Sequence, residues 1–296
     1  MCPTVAITGS SGLIGSALTT TLEASGHRVV RMVRRKATDD GEITWNPAAR
    51  LLDERTLQHV DVIVNLAGET IGKRWTSARR RAIRESRVRG TETITGAILR
   101  SRLPITLINA SAVGYYGSRG DEVLDEHSSN GRGYLAEVCR DWEAAAKTAS
   151  PAGSRIVMMR SGVVLSEKGG ALPEMLRPFK LGVGGKIGDG SQWLSWIDLG
   201  DMVRAIKFVI ERPEIRGPVN MVSPNPVTNR EFTSTVSGVL QKPAMMSVPG
   251  FALQLMFGEM AKETILASQR AIPSVLLNAG FLFDFPTLRE VLGVSS

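Results

Sequence analysis

The sequence predicts an α/β fold with a doubly wound parallel sheet and a smaller C-terminal α/β region. Buried-type strand runs alternate with helical patterns, a glycine-rich turn joins the first strand to the first helix, and the alternation loosens after Arg160. Strand, helix and strand in this rhythm are typical of βαβ units, whose strands are parallel. The 296 residues are 43% hydrophobic and 22% charged, which excludes a disordered chain.

The elements of the first half follow one another from residue 4 onward. The run Thr4–Thr8 is apolar and β-branched, which predicts the first strand. Apolar residues then recur at helical spacing from Leu13 to Leu22, and Gly26 ends this helix. Further strands are expected over 28–33, 43–45, 61–66 and 104–111, and helices over 50–60 and 75–100.

The second half continues the alternation and then becomes irregular. A helix is expected over 134–148 and a strand over 154–160, followed by a glycine-rich loop (182–190), a helix (198–211), a proline-containing loop (224–228) and a helix (229–240). Small helices and turns follow from residue 243. We therefore predict a first domain over 1–240, with inserted substrate-side segments at about 165–200, and a small C-terminal helical domain over 241–296. The loop 182–190, with Trp193 and Trp196, is either a flexible lid or a surface loop that the tryptophans anchor.

A glycine-rich turn between the first strand and the first helix is the strongest motif. It reads Thr-Gly-Ser-Ser-Gly-Leu-Ile-Gly over residues 8–15, in the strand–turn–helix context of a dinucleotide-binding fingerprint. Gly9 permits the tight turn, Gly12 lets the backbone approach a pyrophosphate, and Gly15 allows close packing of helix on strand. The helix start offers free N–H groups to phosphate. The predicted cofactor contacts here are Gly9, Ser10, Ser11, Gly12, Leu13, Ile14 and Gly15.

The end of the second strand indicates which dinucleotide is bound. NAD-binding proteins usually place an acidic residue there for the ribose 2′-hydroxyl, whereas this strand ends in Arg34, Arg35 and Lys36. Arginine pairs with a phosphate in two places, and a carboxylate would repel it. We therefore predict NADP(H), with Arg34 as the main contact to the 2′-phosphate and Arg35 as a second one. The alternative is a solvated basic turn.

Several segments together resemble the extended short-chain dehydrogenases/reductases, and more closely the atypical subgroup of epimerase family proteins. The glycine motif is of the Thr-Gly-x-x-Gly-x-x-Gly type, and Asn65–Gly68, Ser111–Gly117 and Arg160–Leu165 are similar to further motifs of that family. The segments 65–69, 73–75, 160–165, 178–185, 269–273 and 279–281 are similar to the subgroup. The resemblance implies a Rossmann-type fold and further cofactor-binding residues. These are Leu66, Ala67, Gly68, Arg87 and Arg160.

The resemblance also implies hydride-transfer chemistry with a serine, a tyrosine and a lysine four residues after the tyrosine. Ser111 matches the serine, and Tyr134 is the tyrosine of the appropriate helix, but residue 138 is valine. If the helix is aligned on Trp142 and Glu143 instead, Leu135 and Cys139 stand at the two positions, so the dyad is broken in either alignment. Without the lysine charge, a tyrosine titrates near its reference value of about 10.

The candidate catalytic residues are therefore Ser111 and Tyr134. The expected function is that of an oxidoreductase, or of a nucleotide-sugar-epimerase-like isomerase, on a small carbonyl or hydroxyl substrate. The alternative is a non-catalytic NADPH-binding sensor or interaction protein without the dyad.

The excess of basic over acidic residues is concentrated in one segment of the chain. Lys+Arg exceed Asp+Glu by 36 to 29, and residues 73–89 alone hold eight basic residues and one acid. Most of these should form a solvated face, with Arg87 directed to the cofactor. Nucleic acid is an unlikely partner, since no aromatic residues interleave with the charges. The two Cys and three His are scattered, so no metal is expected. We expect a cytoplasmic protein without membrane association that binds a small-molecule substrate, with a homodimer as a possible assembly.

Overall fold

A central sheet of eight strands organises the chain. The computed structural model describes residues 2–244 and 246–293. The sixteen strands are β1 Thr4–Thr8, β2 Arg28–Val33, β3 Glu42–Asn46, β4 Leu51–Leu52, β5 Val62–Asn65, β6 Thr106–Ala112, β7 Val123–Leu124, β8 Ile156–Ser161, β9 Val163–Leu165, β10 Gly185–Ile187, β11 Trp193–Leu194, β12 Trp196–Asp198, β13 Gly217–Met221, β14 Val227–Thr228, β15 Met246–Val248 and β16 Arg270–Ala271. The central order is β13-β8-β6-β5-β1-β2-β3-β4. All neighbours are parallel except β3 and β4.

Helices cover both faces of this sheet. They are α1 Leu13–Ala24, α2 Ser77–Ser101, α3 Tyr134–Lys147, α4 Ala171–Lys180, α5 Leu199–Glu211, α6 Asn229–Leu240, α7 Gly250–Phe257, α8 Glu259–Glu263, α9 Ser274–Asn278 and α10 Leu288–Val291. Val5 and Ile7 of β1 pack in one apolar cluster with α1 and α5, while Ala6 between them packs in a second cluster with α2 and α3. Because both faces are buried, the inner strands β1, β5 and β8 are apolar over most of their length. The predicted doubly wound Rossmann-type fold is confirmed.

Two segments differ from the sequence-based prediction. Residues 50–60 are not one helix: Leu51–Leu52 pair antiparallel with β3, and a 3-10 turn follows over Glu54–Leu57. Arg50 has a left-handed φ of 53°, and Asp53 accepts a hydrogen bond from the Arg55 N–H, which breaks the segment into a hairpin and a turn. The loop 182–190 contains strand β10, which pairs with β15 some 60 residues later. A pairing between such distant segments leaves no local signal.

Trp193 and Trp196 hold the segment that follows this loop. Trp196 is fully buried and its indole N–H donates to the Asn225 carbonyl, while the Trp193 indole N–H donates to Asp121 at 2.6 Å. Both tryptophans therefore fix residues 193–196 to neighbouring segments. A lid motion of 182–190 stays a prediction.

The last segments pack onto the sheet-bearing part of the chain. Leu276 and Phe281 lie in the apolar cluster of α1 and α5, and β16 pairs with β7. The buried Asp201 carboxylate accepts hydrogen bonds from the N–H groups of Asp284 and Phe285, both at 2.9 Å. The boundary predicted near residue 240 stays a prediction. No helix within residues 2–244 and 246–293 combines the length and apolar character that a membrane crossing requires.

Candidate functional site

The turn after β1 is built so that only glycine fits at its critical positions. Gly9 has a φ of +67°, and its carbonyl accepts a hydrogen bond from the Gly12 N–H at 3.0 Å. A Cβ at Gly15 would lie 2.2 Å from the Gly9 oxygen, and one at Gly9 would lie 3.1 Å from the Leu66 carbonyl carbon. No side chain caps the start of α1. The turn and the helix start therefore present free backbone N–H groups, which suit a phosphate.

A buried polar network fixes the opposite wall of this turn. The Thr8 hydroxyl donates to Asn65 Oδ1 at 2.7 Å and accepts from the N–H groups of Leu66 and Ala67. Asn65 Nδ2 donates in turn to Asn109 Oδ1 at 2.7 Å. Because every buried group has a partner, the network is rigid and holds residues 66–68 across from the glycine turn.

A first cavity, of about 690 Å³, opens between these walls. Nine of the predicted cofactor contacts line it: Gly9, Ser10, Ser11, Gly12, Arg34, Arg35, Leu66, Ala67 and Gly68. Leu13, Ile14 and Gly15 are not among the lining residues. They begin α1, where Ile14 packs against the apolar core.

The two arginines after β2 have different surroundings. Arg35 forms a bidentate ion pair with Glu42, with N–O distances of 2.7 and 2.6 Å. The hydrogen bond from Arg35 lowers the pKa of Glu42 to about 2. Arg34 is exposed and has no hydrogen bond or ion pair to any residue described by the structure. Sequence reasoning missed Glu42, because its carboxylate comes from the neighbouring strand β3.

Arg87 braces the wall of the first cavity from α2. Its Nη1 donates to the carbonyls of Glu69 and Ile83 at 3.0 and 3.1 Å, and its guanidinium lies 5.1 Å from the Trp142 ring centre. A Cβ at Gly68 would lie 3.4 Å from Arg87 Cζ. Burial lowers the pKa of Arg87. The predicted direct contact of Arg87 with a cofactor stays a prediction.

Other basic residues of α2 pair with carboxylates. The pairs are Arg79 with Glu69, Arg80 with Glu259, Arg84 with Asp141 and Arg89 with Glu85. The surplus charge of residues 73–89 is therefore partly balanced by acids from other segments.

Ser111 and Arg160 both donate hydrogen bonds to the Glu143 carboxylate. Arg160 Nε and Nη2 donate to the two Glu143 oxygens at 2.9 and 3.0 Å, with the side chains 4% and 3% exposed. The Ser111 hydroxyl donates to the same carboxylate at 2.8 Å. The Arg160 guanidinium lies 3.6 Å from the Tyr115 ring centre, and its Nη1 donates to the hydroxyl of Tyr116. Neither Ser111 nor Arg160 lines the two cavities described here, so their assigned ligand contacts stay predictions.

Tyr134, the first residue of the helix expected to hold the tyrosine–lysine dyad, contacts α2. The Tyr134 hydroxyl donates to the Arg80 carbonyl on α2, its ring packs on Trp75, and burial raises its pKa. Leu135 and Cys139 lie on the side of Gly114: a Cβ at Gly114 would be 3.4 Å from Leu135 Cβ and 3.9 Å from Cys139 Sγ. Burial raises the pKa of the Cys139 thiol to about 12. Leu135 and Cys139, the two positions of the Trp142–Glu143 alignment, therefore hold no acid or base for neutral pH. The choice between the two alignments stays a prediction.

A second cavity, of about 670 Å³, lies beyond the end of β6. One wall holds Gly114, Gly117–Arg119 and residues 129–133, and the other holds Gln254, Lys262, Glu263, Leu266, Ala267 and Gln269. The Leu135 N–H donates to the Glu263 carboxylate at 3.2 Å, and the Ser268 N–H donates to the Ser118 hydroxyl at 3.1 Å. The walls come from distant parts of the sequence, so no single motif predicts this cavity.

The sheet is parallel apart from one strand, helices cover both of its faces, and a glycine turn follows its inner strand β1. This arrangement defines a Rossmann-type α/β protein of the nucleotide-binding class. A family model described as the NAD dependent epimerase/dehydratase family matches residues 5–222, and a model described as a domain of unknown function (DUF1731) matches residues 248–293. The chain belongs to the NAD dependent epimerase/dehydratase family, within its epimerase family proteins. The resemblance noted from the sequence is confirmed.

Relatives match over the whole chain. An epimerase family protein of Mycobacterium bovis is 47% identical over 99% of this chain and 97% of its own length. The crystal structure of human epimerase family protein SDR39U1 with NADPH is 34% identical, covers 98% of this chain and 97% of that chain, and has a TM-score of 0.87. The nucleoside-diphosphate sugar epimerase from Corynebacterium glutamicum is 39% identical with a TM-score of 0.82; the match covers 99% of this chain and 57% of that longer chain.

Proposed function

We propose that this protein binds NADP(H) in the first cavity and acts as an oxidoreductase or epimerase-like enzyme on a small carbonyl or hydroxyl substrate. The main support is the contrast between the two arginines after β2. Arg34 lines the cavity and has no partner among the described residues, whereas Glu42, an acid of the same lining, is already held by Arg35. A free cation without a competing acid suits the 2′-phosphate of NADP(H).

The residues of the first cavity fit such a cofactor. The cradle of Gly9, Gly12 and Gly15 leaves no room for a Cβ at its tightest point, so the turn backbone would hold the pyrophosphate. Arg34 would hold the 2′-phosphate. When bound, the nicotinamide supplies or accepts a hydride. The relative from human, solved with NADPH, supports the same choice of cofactor.

The second cavity would receive the substrate, because it lies at the end of β6 beside Gly114. In parallel α/β sheets, ligands bind at the carboxyl ends of the strands.

The residues at the dyad positions, Leu135 and Cys139, favour a second candidate function: a non-catalytic NADPH-binding sensor. In that case both cavities are built but no proton donor faces the reacting atoms.

Cofactor choice is tested by titrating NADPH and NADH against wild type, Arg34→Ala and Arg28→Ala, with binding followed by nicotinamide fluorescence. Arg28 lies at the opposite end of β2 and serves as the control. Loss of one charge-assisted contact should weaken NADPH binding by about ten- to a hundredfold in Arg34→Ala and leave NADH unchanged. Equal losses for both dinucleotides, or tighter NADH binding by wild type, would refute the assignment to NADP(H).

Catalysis is tested separately with the NADPH-bound protein and a panel of small aldehydes, ketones and sugars. Oxidation of NADPH with any of them supports the enzyme. Tight NADPH binding without turnover across the panel favours the sensor.

A further inference from the structure

We propose that the second cavity binds a small, polar, anionic molecule without a nucleobase, such as a sugar phosphate, between Arg132 and Lys262. This inference rests on the proposed function, in which that cavity receives the substrate. It goes further by naming the chemical class of the substrate and the two residues that select it.

The charges on the cavity wall differ in their availability. Arg119 is paired with Glu122 at 2.6 and 2.8 Å, and the Glu263 carboxylate accepts the Leu135 N–H. Arg132 and Lys262 are both exposed, and neither has a hydrogen bond or ion pair to a residue in the described ranges. The lining residues thus include two cations and one carboxylate, that of Glu263, without an ion-pair partner in the described ranges, so the cations are in excess. An anionic group would find a complementary charge there.

The two free cations stand on opposite walls. Arg132 belongs to the loop that leads into α3, and Lys262 belongs to α8 of the C-terminal segment. Hydrogen bonds between Glu263 and Leu135 and between Ser268 and Ser118 hold these walls together. A ligand that contacts both cations therefore lies across the cavity.

The rest of the lining is polar and small, which argues against a nucleobase. Glycines, serines, Asn130 and glutamines dominate, the apolar members are Leu266 and Ala267, and no aromatic ring lines the cavity. A base in a protein site is usually stacked on an aromatic or arginine face. The two arginines of this lining have other roles, since Arg119 is paired with Glu122 and Arg132 is assigned to the anionic group. Hydroxyl groups of a sugar or polyol suit this lining instead. The relative from Corynebacterium glutamicum is named for a nucleoside-diphosphate sugar, so the class proposed here is a distinct one.

The glycines of the first wall give the cavity its shape. A Cβ at Gly131 would lie 1.9 Å from the Tyr116 carbonyl oxygen, and one at Gly133 would lie 2.6 Å from Glu263. The backbone contact excludes a side chain at Gly131, and the φ of +114° disfavours one at Gly133. Because these two residues have no side chain, the polar surface of this wall consists largely of backbone groups, which can form hydrogen bonds with ligand hydroxyl groups.

Calorimetry on the NADPH-saturated protein tests the proposal with three probes. Ribose 5-phosphate and uridine 5′-monophosphate carry the same sugar phosphate and differ by the base, while ribose lacks the charge. We expect ribose 5-phosphate to bind at least about tenfold more tightly than ribose, and uridine 5′-monophosphate to gain no more than about twofold from its base. Undetectable binding of ribose 5-phosphate, or a gain above tenfold from the base, would overturn the proposal.

Two substitutions test whether Arg132 and Lys262 contact the bound sugar phosphate. Arg132→Ala and Lys262→Ala should each weaken ribose 5-phosphate binding by about two- to fivefold, the value of one exposed ion pair. Lys168→Ala, an exposed lysine elsewhere, is the control and should leave it unchanged. NADPH affinity is measured for every variant. If NADPH binds normally and the two variants keep full affinity for ribose 5-phosphate, the cavity assignment alone is wrong. If wild type fails to bind NADPH, the proposed function is wrong, and the probes are titrated into the unloaded protein.

Discussion

Replacement of Glu143 by glutamine removes the charge of a buried ion pair while its shape is kept. Arg160 and Glu143 are 4% and 3% exposed and share two hydrogen bonds of 2.9 and 3.0 Å. The variant leaves a guanidinium in the core without a counter-charge, which costs about 3–5 kcal/mol in comparable pairs. Glutamine keeps one acceptor oxygen, so we expect the lower end, about 3 kcal/mol. At roughly 2–4 °C per kcal/mol, the melting temperature should fall by about 6–12 °C.

Urea unfolding followed by circular dichroism measures this change. The matched control is Glu211→Gln, which breaks the exposed pair of Lys207 and Glu211 and should cost no more than about 1 kcal/mol. The double variant Arg160→Met, Glu143→Leu should recover much of the loss, because apolar side chains can replace a buried pair. A cost below about 1 kcal/mol for Glu143→Gln would refute the reasoning that this pair is a desolvated unit of the core.

Three further outcomes are expected. Gly15→Ala places a Cβ 2.2 Å from the Gly9 oxygen, so it should destabilise the fold by about 1–3 kcal/mol and weaken NADPH binding. The control is Gly238→Ala, whose Cβ meets no atom within 4 Å and which should neither destabilise the fold nor weaken NADPH binding. A thiol reagent at neutral pH should label Cys2 alone in the native protein and Cys139 only after unfolding, since Cys139 is buried and its pKa is raised to about 12; rapid labelling of both would contradict this. Burial raises the pKa of Tyr116 to about 12, above the reference of about 10. Its neutral form therefore stabilises the fold below pH 10, and stability is lost as pH rises toward 12. Unfolding curves at pH 9 to 12 should show less of this loss in Tyr116→Phe.

The sheet and the glycine turn could be predicted because their signals are local. The run Thr4–Thr8 and the three glycines fall within residues 4–15, and the basic residues 34–36 directly follow the second predicted strand. Residues 50–60 could not be predicted, since the pairing of Leu51–Leu52 with β3 competes with helix formation. The pairing of Arg35 with Glu42 likewise depends on the register of two strands.

The two cavities of the candidate site also differ in whether local sequence signals predict them. The first cavity is built from motifs that a sequence displays. The second cavity is built from segments more than 100 residues apart, as in the hydrogen bond between Ser268 and Ser118. Ser111 and Arg160 were identifiable as residues of a motif, but their common partner Glu143 depends on how α3 packs on the sheet.

The hydrogen bonds that tie the C-terminal segment to the second cavity have a consequence for the order of chain synthesis. Residues that line the first cavity lie between Gly9 and Ser86, so they leave the ribosome early. Lys262, Glu263 and Gln269 leave it more than 170 residues later. Domains generally fold in the order in which they are made. A nascent chain can therefore complete its glycine turn well before the far wall of the second cavity exists.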